Sequence, residues 1–349
     1  MTDWNPFEEL RRILQDKLMF TSRRGIHVEC YDSSRKSAWD RFVRDGKSAT
    51  FLFLRDYMEY HADRFKDCSL LFHRDEHLVG ILPASLNSMN SLITHGGLTY
   101  GGLVLDREST LRETIEIFQA LLEFVHEIKI EEILYKRIPR FYSLLPDDEI
   151  DYIMFMLDAE LYRRDCALVV PQPRYMRFRK GRKSEIGKAR KAGINLVEED
   201  SLDRFWIEVL EPRLQERYSV RPVHSLTEIS LLKSSFPKNI RQFSAYDGEH
   251  IVAGVTIYET ESVAHAQYSS VTAKGQELGA LDYLFSWLID VRYVGKRYFD
   301  FGISNEQEGR RLNLGLLRWK ESFGARSYSH DFYKIQSANY KKLDEVLIE

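Results

Sequence analysis

The sequence predicts an α/β protein of two tandem lobes, each a mixed, mostly antiparallel sheet flanked by helices. Three observations predict it. The same order of elements occurs twice along the chain, the segments alternate between strand-like and helix-like apolar spacing, and the composition suits two packed cores. The chain has 349 residues, of which 44% are apolar, 13% aromatic and 30% charged. That length accommodates two domains of ordinary size, and that composition is typical of a folded globular protein.

In the first half, SLLFHRD (69–75), HLVGILPAS (77–85) and NSLITHGGL (90–98) read as strands, STLRETIEIFQALLEFVHEI (109–128) as a long helix, and EEILYKRIP (131–139) as a further strand. The second half repeats the order. RQFSAYDG, HIVAGVTIYE and SVAHAQYSSV read as strands between 241 and 271, GALDYLFSWLIDVRYV as a helix, and KRYFDFGIS as the closing strand. The turn RDEHLVG at 74–80 has its chemical counterpart in DGEHIVAG at 247–254. Matching order and spacing point to tandem duplication.

Between the halves lie CALVVPQPRYMRF, a strand with a Pro-rich break, and the tract KSEIGKARKAGINLVEED, which is expected to be helical. LDRFWIEVLEPRLQERY is a further helix, and the loop VRPVHSLTE leads into another that ends at FPKNI. The expected divisions are an N-terminal helical extension over 1–27, a first lobe over 28–165 and a second over 166–349. In the last unit, Tyr298 to Tyr333, the run YFDFGIS is a strand, and SNEQEG supplies turn and helix-start chemistry. A helix then places Asn313, Leu316, Leu317 and Lys320 on one face, and Gly324 stops it.

Fifty basic and 53 acidic residues give a net charge of −3, so no global field selects nucleic acid or an anionic membrane. The N-terminal segment lacks a signal-type apolar core, and no stretch of about 18 apolar residues occurs, so the expected location is cytoplasmic with no integral membrane segment. Cys30, Cys68 and Cys166 are widely spaced and odd in number, which argues against disulfides and structural zinc. No metal-type His or Cys spacing occurs, so no metal is expected. Arg174 to Lys191 is the one charge anomaly, with nine basic residues against Glu185 alone. Its possible contacts are tRNA, CoA phosphates or an anionic membrane surface, and its simplest reading is a solvated helix face.

The helix-end pattern LLRWKESFGA, after a strand and polar turn, resembles the aromatic-Lys-two residues-Phe-Gly signature of FemAB-like acyltransferases. These proteins carry two copies of the GNAT fold. The tract KGRKSEIGKARKAGINLVEE is similar to the basic helix that precedes their second lobe, and the resemblance spans roughly residues 30 to 335. It implies two tandem GNAT-like lobes and transfer of an acyl or aminoacyl group to an amine. The implied donor is acyl-CoA, most simply acetyl-CoA, and the implied acceptor an amino sugar or its nucleotide-linked form, as in bacterial surface-polysaccharide synthesis. The alternatives are an aminoacyl-tRNA-dependent transferase for cell-wall peptides and a non-catalytic binding scaffold. No long charged heptad insertion separates the lobes, which counts against the tRNA donor. Oligomeric state does not follow from the sequence.

Amine acylation needs a proton acceptor and dipoles for the developing oxyanion. Glu306 and Asp300, at the end of the last strand, are the preferred candidates for proton removal, with His330 beside Asp331 as the alternative. The GNAT resemblance allows Tyr268 as acid to the leaving group. It also places the donor on Val271, Gln276, Gly279 and Ala280, where a glycine-bearing loop opens a helix and backbone N–H groups suit a pyrophosphate. The motif there is partial, because QELGAL ends in Leu281. Lys320, Arg310 and Asn305 are candidate acceptor ligands, the cations for phosphates. In the first lobe THGGLTYGG offers His95 and Tyr100 beside two glycine pairs. It lacks a following Lys-Ser/Thr, so it is not a P-loop.

Overall fold

The computed structural model describes residues 20–87 and 91–347. Residues 1–19 of the expected N-terminal helical extension lie outside the described residues, and the chain enters instead on two paired strands, Phe20–Thr21 and Ile26–Cys30. The chain divides into two compact units, Met1–Arg164 with His330–Glu349, and Asp165–Ser329. Each is an α/β unit with mixed sheet and flanking helices, so the expected two-lobed α/β class holds.

The first unit holds an antiparallel sheet in the order Phe20–Thr21, Ile26–Cys30, Leu70–Arg74, His77–Leu82, Val104–Leu105. A second set of strands pairs Lys66–Asp67 with Ser85–Leu86, then Leu92–Ile93, then Glu132–Lys136, the last of these pairings being parallel. Phe332–Gln336 pairs antiparallel with Glu132–Lys136, so the end of the chain completes this unit. The helix Leu111–Glu127 begins at Thr110, whose hydroxyl and the Glu113 carboxylate form a reciprocal capping box. It buries Ile115, Phe118, Leu121, Leu122 and Val125 in the core.

The second unit is ordered Asn195–Glu199, Ile240–Asp247, His250–Glu259, Val263–Val271, Tyr298–Ile303, then the Ala167–Pro171 part of the strand Glu160–Pro171. Every neighbouring pair in it is antiparallel except Val263–Val271 with Tyr298–Ile303. Its core includes an aromatic cluster. Phe285 lies 4.9 Å from Phe301, Trp319 5.6 Å from Phe301, and Phe323 5.3 Å from Trp319, all centroid to centroid. The Trp and Phe of WKESFG are therefore packing residues that fix the helix Leu314–Glu321 on the sheet.

Two expectations are corrected. INLVEE is a strand, Asn195–Glu199, and not the end of a helix. Gly193, at φ +73°, stops the helix Lys180–Lys191 in the left-handed conformation and turns the chain back along the sheet edge. SNEQEG does not start a helix either: Asn305–Glu306 pairs with Arg311–Leu312. Gln307, Glu308 and Gly309 all take positive φ, which closes a tight hairpin, and the helix waits for Asn313. Asn313 Oδ1 accepts the Leu316 N–H at 3.0 Å as its N-cap. The helix stop at Gly324 holds: φ is +89°, and a Cβ there would meet the Met176 carbonyl at 2.6 Å.

Candidate functional site

In the second unit two neighbouring strands part after a short shared ladder. Val263–Val271 and Tyr298–Ile303 pair in parallel through three residues, Val263 with Tyr298, Ala264 with Phe299 and His265 with Asp300. Beyond them each strand keeps only its outer partner, the first His250–Glu259 and the second Ala167–Pro171. Residues at such a parting lie at the edge of an opening between neighbouring strands, which is where α/β sheets collect ligands.

His265 and Asp300 face each other at this point, Nδ1 to Oδ2 at 2.7 Å. The Gly302 N–H donates to the other carboxylate oxygen, Oδ1, at 2.7 Å. A carboxylate that takes the Nδ1 hydrogen leaves the imidazole lone pair on Nε2, the orientation a proton acceptor requires. Gly302 has φ +71°, and a Cβ there would sit 3.4 Å from His265 Cε1. Sequence reasoning named Asp300 and missed His265. The strand reading of SVAHAQYSSV carried His265 without singling it out, and the pairing itself depends on register.

Lys320 closes the same end. Its side chain is buried, and Nζ donates to the carbonyls of Gly302 at 3.0 Å and Ile303 at 2.6 Å. Burial pushes its pKa down to about 8, opposed by the Asp300 carboxylate. An ammonium has three hydrogens, so two carbonyls do not exhaust it. Cys166 is close enough to feel this charge, but burial raises its thiol pKa, which is contrary to what a nucleophile needs.

The other expected residues fall in different surroundings. Asn305 is buried and ties the chain together, its Oδ1 accepting the Cys166 N–H at 2.7 Å and its Nδ2 donating to Asp165 at 2.8 Å. Glu306 is exposed on the hairpin and accepts from Asn313 Nδ2 at 3.3 Å, and Arg310 is exposed at the hairpin end. Tyr268 is engaged by His224: its hydroxyl lies 2.5 Å from Nδ1 and accepts the His224 backbone N–H at 3.3 Å. The first unit holds His95, Tyr100 and His330. His95 is buried at φ +61°, and burial drives its pKa down to about 3. Tyr100 donates to Thr50 Oγ1 at 3.2 Å, and its ring lies 6.5 Å from that of His330. The expected partnership of His330 with Asp331 gives way to another: Arg164 grips Asp331 through two hydrogen bonds of 2.6 and 2.7 Å. Sequence reasoning also missed Lys136, whose Nζ donates to the carbonyls of His95, Gly96 and Leu98 at 2.9, 3.2 and 2.8 Å.

The helix start expected to cradle a CoA pyrophosphate is filled by the protein itself. A Cβ on Gly279 would meet the Glu185 carbonyl at 2.7 Å, and Ala280 is fully buried. Asp282 occupies the first turn of the helix Ala280–Trp287, ion-paired with Arg182 and accepting from Trp319 Nε1 at 2.8 Å. The positive end of that helix already faces a carboxylate. Gln276 Oε1 accepts from Arg213 at 3.2 Å, and Val271 packs beside Gly275. The helix Lys180–Lys191, which roofs Gly279, buries Ile186 and Ala189 and turns Lys180, Lys183, Lys188, Arg190 and Lys191 outward. Among the described residues no group of His, Cys, Asp and Glu has the arrangement of a metal site. No helix among them is long and apolar enough to cross a membrane.

No family model and no curated protein matches the chain. Solved structures do. FemX superposes with a TM-score of 0.63 at 11% identity, covering 88% of this chain and 98% of its own. The C-terminal domain of an Agrobacterium fabrum protein described as a lysylphosphatidylglycerol synthetase gives 0.50 at 12% identity, covering 77% and 85%. A conserved Bacteroides thetaiotaomicron protein of unknown function gives 0.50 at 9%, covering 88% and 98%. At these identities the likeness is one of fold.

Proposed function

We propose that this chain, built on the fold it shares with FemX, transfers an acyl group from an activated ester or thioester to an amine. The observation that carries the reading is Lys320, a buried ammonium at the parting of two parallel strands, beside the His265–Asp300 pair. Nucleophilic attack on an acyl carbonyl builds negative charge on its oxygen. A fixed cation with a hydrogen to spare stabilises that charge at no reorganisation cost. His265 Nε2, oriented by Asp300, accepts the proton that the amine loses. It passes that proton to the departing thiolate or ribose oxygen as the acyl–S or acyl–O bond breaks, while the parted strands hold donor and acceptor in line. Positioning of this kind contributes on the order of 7 to 11 kcal/mol, more than a single base supplies. In this reading the proton acceptor is His265, with Asp300 orienting it, and Glu306, His330 and the acceptor-ligand role of Lys320 are set aside.

The acceptor proposed first is an amino sugar or its nucleotide-linked form, and the donor acetyl-CoA bound away from the helix start at Gly279. A second donor reading has a specific observation in its favour. The helix start after Gly279 already carries the Asp282 carboxylate, whereas the outward basic face of Lys180–Lys191 suits a phosphate backbone, so an aminoacyl-tRNA is the alternative. Thiol release from acetyl-CoA across a panel of amino sugars, run beside transfer from charged tRNA, tests both. Acyl transfer with either donor that is lost in Lys320→Met supports the reading; transfer by neither donor removes it.

A further inference from the structure

Four unusual features of the second unit converge away from Lys320. The helix after Leu202 widens into a π-helical turn, Trp206–Leu210, a geometry that recurs at functional sites. Within it Trp206 is fully buried, edge-on to Tyr268 at 4.9 Å, and its Nε1 has no hydrogen-bond partner among the described residues. Buried donors are rarely left so. The next helix, Glu211–Tyr218, ends at Ser219, a non-glycine residue in the left-handed region at φ +54°. From there the chain returns to His224, which is buried against the Tyr268 hydroxyl at 2.5 Å.

These elements enclose a cleft of about 660 Å³. His224 lines it, and its rim carries Ile207, Val220 and Val223, 58%, 50% and 80% exposed. Apolar side chains gathered at the mouth of a cleft mark a binding surface. The charged lining is Glu211 and Glu228 against Arg221, a net negative wall. Glu228 is committed to the capping box of the helix Leu226–Ser235, whereas Glu211 makes no ion pair among the described residues.

We infer that this cleft binds an ammonium group carried on an apolar stem, with Glu211 as its counter-charge and Ile207, Val220 and Val223 as the seat of the stem. The strand Val263–Val271 carries both Tyr268, which holds His224 in the cleft, and His265 of the pair described above. The inference rests on the acyl-transfer reading in one respect: it makes the bound molecule the acceptor, its ammonium held by Glu211 while a separate amine of the same molecule meets His265. Tyr268 is then a positioning residue for the lining of the cleft.

The probes are n-hexylamine and its neutral counterpart n-hexanol, titrated against the full chain by NMR with the His224 ring signals identified through His224→Gln. Hexylamine should shift the His224 signals and bind at least ten-fold more tightly than hexanol. Glu211→Gln should cut that preference at least three-fold, and Val223→Ser should weaken both probes alike. Both residues are exposed, so the fold tolerates either change. Equal affinity for the two probes, or His224 signals that stay put, overturns the inference. Should hexylamine bind as described while no donor acylates any amine, the cleft stands and the transferase reading falls. Should acyl transfer proceed with an amine KM that neither variant alters, the cleft falls and the transferase stands.

Discussion

His265 Nδ1 lies 2.7 Å from Asp300 Oδ2, at the last residue pair that the strands Val263–Val271 and Tyr298–Ile303 share before they part. The contact couples a polar pair to the register of a parallel ladder. A slip of one residue would turn both side chains to opposite faces. Asp300 is also fixed from behind by the Gly302 N–H, so the carboxylate has little freedom and the imidazole takes its orientation from it.

Asp300→Asn should therefore lower turnover roughly 10²-fold or more while leaving donor and acceptor affinity nearly unchanged, because the amide no longer enforces the Nδ1–H tautomer. Steady-state kinetics checks this. His265→Gln should match it in size, and the double variant should be no worse than either single one, since the two act as a unit.

Gly302→Ala should impair the same pair by a different route. Its φ of +71° disfavours a side chain, and the new methyl would press on His265 Cε1 from 3.4 Å. A stability loss of about 1 kcal/mol in urea denaturation, with a larger loss of turnover, is the expected outcome.

Lys136 gives a stability prediction for the first unit. Three carbonyls of the loop after Leu92–Ile93 converge on its ammonium, and burial lowers its pKa to about 8. Lys136→Met leaves those oxygens buried without a donor, at a cost of roughly 3 kcal/mol or more. The urea midpoint should fall accordingly, and proteolysis should begin near Gly96–Gly97.

The pH dependence of Lys320 has a definite sign. Its folded pKa of about 8 lies below the unfolded value near 10.5, so between these pH values the unfolded chain binds more protons than the fold. Stability from this group therefore rises as pH climbs through that window. Wild type should gain Tm relative to Lys320→Met between pH 8 and 10, the contribution of Lys136 being common to both chains. A relative loss over that range would show that Lys320 is charged in the fold throughout.

Much of the scaffold was legible in the sequence because its signals are local. The apolar spacing of the helix Leu111–Glu127 and the stop at Gly324 after Phe323 are each carried within one segment, whereas the N-cap at Asn313 was passed over for SNEQEG. The errors came where local signals compete. INLVEE has a helix-compatible composition, yet Gly193 and an open sheet edge make it a strand, and Glu306 looked like a helix-start carboxylate although positive φ at Gln307, Glu308 and Gly309 folds it into a hairpin. The site was half legible. Asp300 and Lys320 stood out by position, but the partner of the first and the inward turn of the second depend on residues 35 and 17 to 18 positions away in sequence. His224 and Tyr268 are separated by 44. Such contacts are set by sheet register, which no single segment encodes. Gly279 also serves the approach of the Glu185 carbonyl, an internal packing need that no single segment of the sequence shows.

The most direct test of the central claim is the rate of acyl transfer to an amine between pH 6 and 10 in wild type and in Lys320→Met. If the Lys320 ammonium stabilises the developing oxyanion, wild-type kcat should fall on an alkaline limb near pH 8, and Lys320→Met should be slower by roughly 10² to 10³ with that limb gone. Wild-type turnover in Lys320→Met, with the alkaline limb intact, would contradict the account.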